Sequence, residues 1–170
     1  MVPKSTVDYS GRLVDVELLQ SVTQPGTNIR VYPAFTRVTE DGYTVPKMVT
    51  GLEKAIQRYA NLLLTDIESM KFNEDIGGEL VIRVFNGSVA SEADLEHLFA
   101  LANDSAMTAM AEDDNDPTFG DIPDDEKLVN ARLDSSYIDY ARATISLHID
   151  LTFASGDTYT YIIPVTTGLQ

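Results

Sequence analysis

Carboxylates and histidines are the side chains of this sequence that could do chemistry. Glu68, Glu74, Asp75 and Glu79 lie close together in one polar link. Cleaving a glycosidic bond takes two carboxyl groups roughly 5 to 9.5 Å apart, one held protonated by an apolar pocket. With 27 acidic residues close pairs arise by chance, and there is no tryptophan to line a sugar cleft. Asp113, Asp114, Asn115 and Asp116 begin like a calcium loop, but the glycine required at loop position six is missing. That position is Thr118 counted from Asp113 and Phe119 counted from Asp114, and the closing glutamate is out of register. His97 and His148 are distant in sequence, and without cysteine they form no zinc pattern. Phosphate-binding glycine motifs and a nucleophile elbow are both absent. The expectation is no catalytic set, no metal and no cofactor.

The elements that would position these groups are clearer. Thr50 followed by Glu53 has the form of a capping box, with Gly51 at the first helical position. Leu52, Ile56, Tyr59 and Leu63 then recur at helical spacing, with Lys54 and Arg58 on the opposite face. The period fades between Asn61 and Thr65. After the link and Gly77-Gly78, the apolar run Leu80 to Phe85 reads as a buried strand or as the first turns of a helix, and Asn86-Gly87 as a turn. A long helix is predicted over 91–110. Ser91 caps it, Glu92 and Asp94 sit in its first turn, and Leu95, Leu98, Phe99 and Ala102 form its stripe. Met107 and Met110 continue that stripe as core packing. Residues 112–126 carry eight acidic side chains, no basic one, and Pro117 and Pro123, which predicts an acidic loop.

The last third is the strongest β signal. Ile145, Leu147, Ile149, Leu151 and Phe153 alternate with polar residues, and Tyr159, Tyr161, Ile163 and Val165 alternate back after a turn at Ser155-Gly156-Asp157. Leu128 to Tyr140 offers a third strand, and Pro164 with the polar tail marks an edge strand. Residues 1–46 read as a β-rich extension. Leu13 to Leu19 fits a strand or a short helix, Ile29 to Tyr32 a strand stopped by Pro33, and Asp41-Gly42 a hairpin turn. The division expected is an extension over 1–46 and an α+β domain over 47–170. The fold class is α+β: two or three helices packed on a small, mostly antiparallel sheet with a C-terminal β-hairpin.

Composition narrows the partners. The 170 residues carry a net charge of -15, a field that repels phosphate backbones and favours basic proteins. No apolar run is long enough to cross a membrane, and MVPKSTVDYS lacks the apolar core of a signal peptide. The expectation is a protein folded in the cytoplasm that binds neither nucleic acid nor membrane.

The helix ending in Leu63-Leu64-Thr65, the tight link, and the glycine and apolar segment after it resemble the baseplate wedge, or sheath-initiator, family of contractile phage tails. Leu63, Leu64 and Thr65 match the start of the family pattern, Ser69 its Glu/Ser position, Phe72 an aromatic, and Gly77 its glycine. Glu68 and Glu74 depart from it, standing where the family usually has glycine and proline. The match covers about 40 residues of the 170. The resemblance implies a virion protein, a structural component of the tail baseplate assembled in the host cytoplasm, with six copies in a ring. It implies the tail sheath protein, the tail tube protein and baseplate wedge or hub proteins as partners. Relatives have also carried a lysozyme-like label, which makes a tail glycan hydrolase one alternative; a tube terminator or wedge adaptor is another.

In the implied mechanism the C-terminal sheet initiates sheath assembly by strand addition. Ile145, Leu147, Ile149, Leu151 and Phe153 on one strand, and Thr158, Thr160 and Ile162 on the next, would form the surface that receives the partner. The residues alone favour a different arrangement, an ordinary sheet whose edge is covered by the chain's own N-terminal arm.

Overall fold

A computed structural model describes residues 15–16, 19–23, 28–33, 37–38, 44–45, 48–67, 76–116, 121–139 and 144–166. In chain order the elements are β1 (Asp15–Val16), β2 (Leu19–Thr23), β3 (Asn28–Pro33), β4 (Arg37–Val38), β5 (Thr44–Val45) and β6 (Met48–Val49). They continue as α1 (Leu52–Leu63), α2 (Leu80–Phe85), α3 (Glu92–Asp114), β7 (Leu128–Asp139), β8 (Thr144–Phe153) and β9 (Thr158–Thr166). The fold is α+β, with three helices on an antiparallel sheet of β7, β8 and β9 and a β-rich extension before them.

Strict alternation along β8 buries every second residue, and Leu147, Ile149 and Leu151 are inaccessible to solvent. Against that face lie Tyr59, Ala60 and Leu63 of α1, Leu80 and Val84 of α2, and Leu95, Phe99, Ala102 and Met110 of α3. Each large aliphatic or aromatic side chain removed from water here contributes about 1.5 to 3 kcal/mol. Ala102, Ala106 and Ala109 keep one stripe of α3 small. The link after α1 uses this: a Cβ on Gly78 would stand 2.9 Å from the Ala102 Cβ.

Several local expectations change. The capping box at Thr50 does not form. Gly51 is itself the N-cap of α1, at φ 64°, and the Thr50 Oγ1 is buried without a hydrogen-bond partner. The positive φ that only glycine takes easily turns the chain into the helix one residue later than the side-chain pattern implied. Ser91 does cap α3, accepting from the Asp94 N–H, while Asp94 accepts from the Ala90 N–H. The run 80–85 is helical. Asp66 accepts from the Ile82 N–H in its first turn, and the turn ends at Gly87.

The acidic stretch 112–126 is not all loop, since α3 runs on to Asp114. Acidic side chains at a helix C-terminus oppose its dipole. Arg58 of α1 offsets them, donating to Asp114 at 2.9 Å, to Asp113 at 3.0 Å and to the Met110 carbonyl at 3.0 Å. At the far end of the stretch Glu126 is buried in a turn and paired with Lys54 at 3.4 Å. The two cations placed by the sequence on the outer face of α1 thus tie it to the acidic segment.

The order across the main sheet is β2-β3-β9-β8-β7, all antiparallel except the β3–β9 pair, which is parallel. Among the described residues the outer strands are therefore β2 and β7. β9 is interior, contrary to its reading as an edge strand. Its join to β3 spans only Asn28–Arg30 against Thr160–Ile162 and stops before Pro164.

Candidate interaction surface

The residues expected to receive a partner strand do not form an open rail. One side of β8 is taken by β7 along its length and the other by β9. Ile145, Leu147, Ile149, Leu151 and Phe153 are core residues. Thr158, Thr160 and Ile162 point to the other face of the sheet, where the Thr160 hydroxyl donates to Asp150 at 2.8 Å and the Thr152 and Thr158 hydroxyls lie 3.2 Å apart. Ile162 is only 6% exposed, although it lies outside the main core cluster. The chain's own β3 covers the margin of β9 at Thr160–Ile162, the arrangement the residues alone favour, so a partner strand could pair there only by displacing β3. An apolar hairpin in one chain finds its nearest pairing partners in that same chain.

Asp150 joins three strands on the face away from the helices. It accepts from Thr160 of β9, and Arg132 of β7 donates to it at 3.0 Å. The Thr160 hydrogen bond, and after it the Arg132 guanidinium, hold the Asp150 carboxyl below the ordinary aspartate range, against some desolvation. A second chain of contacts runs through the interior. The Tyr59 hydroxyl donates to the Asn103 Oδ1 at 2.6 Å, and the Asn103 amide donates to the Ala131 carbonyl at 3.1 Å. This fixes β7 to α1 and α3 at one backbone group. Burial pushes the Tyr59 hydroxyl far above its usual ionisation range; burial, and then the charge of Glu53, do the same for Tyr161.

β7 carries only a weak strand signal in its sequence. It is twelve residues long, pairs on one side with β8, and lies at the end of the sheet order. Val129 and Tyr137 are 51% and 64% exposed on it. Between β7 and α3 runs an open groove of about 530 Å³, with Phe99 and Met107 in one wall and Glu92, Glu96 and Asp104 along its rim. The sequence marked Leu128 to Tyr140 as a strand, but only the order of strands reveals that it is outermost.

The residues carrying the resemblance have structural roles where they are described. Leu63 is fully buried, Leu64 forms the end of α1, and the Thr65 hydroxyl donates to the Asn61 carbonyl at 2.7 Å. Gly77 sits at φ 118°, where a Cβ would fall 2.7 Å from the Asp66 carbonyl carbon and from the Thr65 oxygen. Beside it Thr65 and Ile67 hydrogen-bond Gly78 through the backbone, at 3.0 and 3.2 Å. Ser69 and Phe72 lie outside the described residues, as do Glu68, Glu74 and Asp75 and the would-be calcium positions Thr118 and Phe119. Glu79, the remaining carboxylate of the link, pairs with Arg83 at 2.9 Å. His97 is exposed on α3 and His148 half-buried on β8. Among the described residues no group of three histidine or acidic side chains could hold a metal, and no helix is long and apolar enough to cross a membrane. Comparison with protein-family models, with curated proteins and with solved structures gives no match.

Proposed function

We propose that the chain is a structural component of a contractile-tail baseplate that initiates sheath assembly by strand addition, and that it works as a template rather than as an enzyme. The resemblance around Leu63-Leu64-Thr65 and Gly77 suggests the setting: six copies around the tube, in contact with tube, sheath and wedge or hub proteins. The observation that carries the mechanism is the seam between β3 and β9. The hairpin β8–β9 pairs along its whole length, whereas β3 meets β9 over three residue pairs, in the parallel arrangement that is slightly weaker per residue. A strand of another chain that replaced the arm at this seam would leave the main core cluster of hairpin and helices intact, since among the described residues that cluster is drawn from α1, α2, α3, β7, β8 and β9. Leu147, Ile149 and Leu151, buried behind it, keep β9 ordered, so little freedom remains to be lost when the incoming strand pairs.

The test is a covalent lock. The chain has no cysteine, so an Asn28→Cys, Thr160→Cys pair creates the one disulfide across the seam. Sheath polymerisation on baseplates carrying the oxidised pair should fail, and reduction should restore it. Sheath growth at the unmodified rate with the lock fully formed contradicts strand exchange at β9.

A further inference from the structure

The outer margin of β7 offers a second place for a strand, with a chemistry of its own. We infer that the groove between α3 and β7 binds an extended, basic segment of another protein, which adds to β7 as one more strand. This site lies at the opposite side of the hairpin from the β3–β9 seam and stands whether or not a sheath subunit uses that seam.

Six consecutive residues of β7, 131–136, line the groove. Successive side chains point to opposite faces over 131–133, before the register shift at Asp134, and again at Ser135 and Ser136, so a groove touched by all six follows the strand's margin rather than covering one face. The apolar wall of Phe99 and Met107 continues onto Ala131 and Leu133. Glu92, Glu96, Asp104 and Asp134 supply four carboxylates, and the one cation among the described residues of the lining, Arg132, is engaged by Asp150. An occupant that alternates apolar side chains with lysine or arginine meets both kinds of wall.

The strand is guarded over its first half and open over its second. Outer strands are usually guarded by lysine, proline or bulges. β7 shifts register between Leu128 and Asn130 and between Leu133 and Ser135, then pairs regularly with β8 from Ser135 to Asp139. That last stretch contains neither lysine nor proline, and Tyr137 stands out from it. Two copies meeting at this margin would bring together chains of charge -15, which disfavours self-pairing, while the same field draws in a basic strand.

The probes are three peptides of about ten residues, a common strand length: one alternating valine and lysine, its valine–glutamate counterpart, and the lysine peptide N-methylated along one backbone edge. They are titrated into the isotope-labelled full chain and followed by amide chemical shifts. The lysine peptide should bind, shifting 131–139 and the α3 residues of the groove. Its affinity should drop about tenfold or more when Glu96→Lys and Asp104→Lys are combined, and the glutamate and N-methylated peptides should not bind. Equal binding of the N-methylated peptide would reduce the effect to charge adsorption. Shifts elsewhere, equal binding of the two charge types, or no binding of the lysine peptide would each overturn the proposal. Both substituted residues are exposed. Should that variant fail to fold, the three-peptide comparison on the unsubstituted chain decides the matter alone.

Discussion

Gly77 and Gly78 show how much a single residue fixes in this chain. At Gly77 a side chain would run into the backbone of Thr65–Ile67, at 2.7 to 2.8 Å, with φ at 118°. Gly77→Ala should therefore cost about 2 to 4 kcal/mol in urea unfolding. Gly156, at φ 89° but in open space, separates the two effects. Gly156→Ala carries the φ strain without the collision and should cost about 1 kcal/mol. Equal losses at the two sites would mean that the link after α1 is looser than described. The ionisable groups give signed expectations as well. The Asp150 carboxyl is held low in the folded chain, so its contribution is present above the unfolded value near 3.9 and lost as pH falls through the folded one. Asp150→Asn should flatten the acid limb of stability against pH, by no more than about 1 kcal/mol for so open a pair. Tyr59 and Tyr161 behave in the opposite sense. Their folded values are raised, so stability is full below about pH 10 and falls above it. In an alkaline absorbance titration Tyr59 and Tyr161 should ionise only when the chain unfolds.

At the scale of elements, legibility followed the period. The alternation of 145–153 announced β8 residue by residue because one face is buried and the other is not. The stripe from Leu52 to Leu63 bounded α1 for the same reason. The end of α3 was illegible, because propensity and like charge argue for a loop at Glu112 while the compensating cation comes from Arg58, 54 positions earlier than Glu112. Removing that cation tests the explanation. Arg58→Ala should release amide exchange protection in the last turn of α3, over 111–114, and leave 92–106 unchanged. Arg58→Lys should restore little, since one ammonium cannot reproduce a guanidinium that reaches two carboxylates and a carbonyl at once. Protection that survives in both variants would leave the extension of α3 without a physical cause. In the core, Ile149→Asp places an unpaired charge among side chains shielded from water and should abolish cooperative melting.

Over the whole molecule, what sequence could not give was the order of strands. Periodicity identifies a strand and its buried face, but not which neighbour lies beside it. The open hairpin edge is what the family resemblance implies, whereas the residues alone favour an edge covered by the N-terminal arm; in the fold β7 and β3 flank the hairpin. The same gap hid the β7 margin, whose residues from Ser135 to Asp139 carry no unusual motif and matter only because they are last in the sheet. The acidic charge, legible from composition alone, acquires a direction once Glu92, Glu96, Asp104 and Asp134 are seen along one groove. Under the proposed function the core stays in the hairpin and helices, and exchange is confined to the short β3–β9 seam. The most direct measurement is a cryo-EM map of an assembled tail end containing this protein. The account predicts a strand from a sheath subunit on the β9 margin at Thr160–Ile162, with β3 displaced from it. A map in which every copy keeps its own β3 there, with no foreign strand alongside β9, would contradict it.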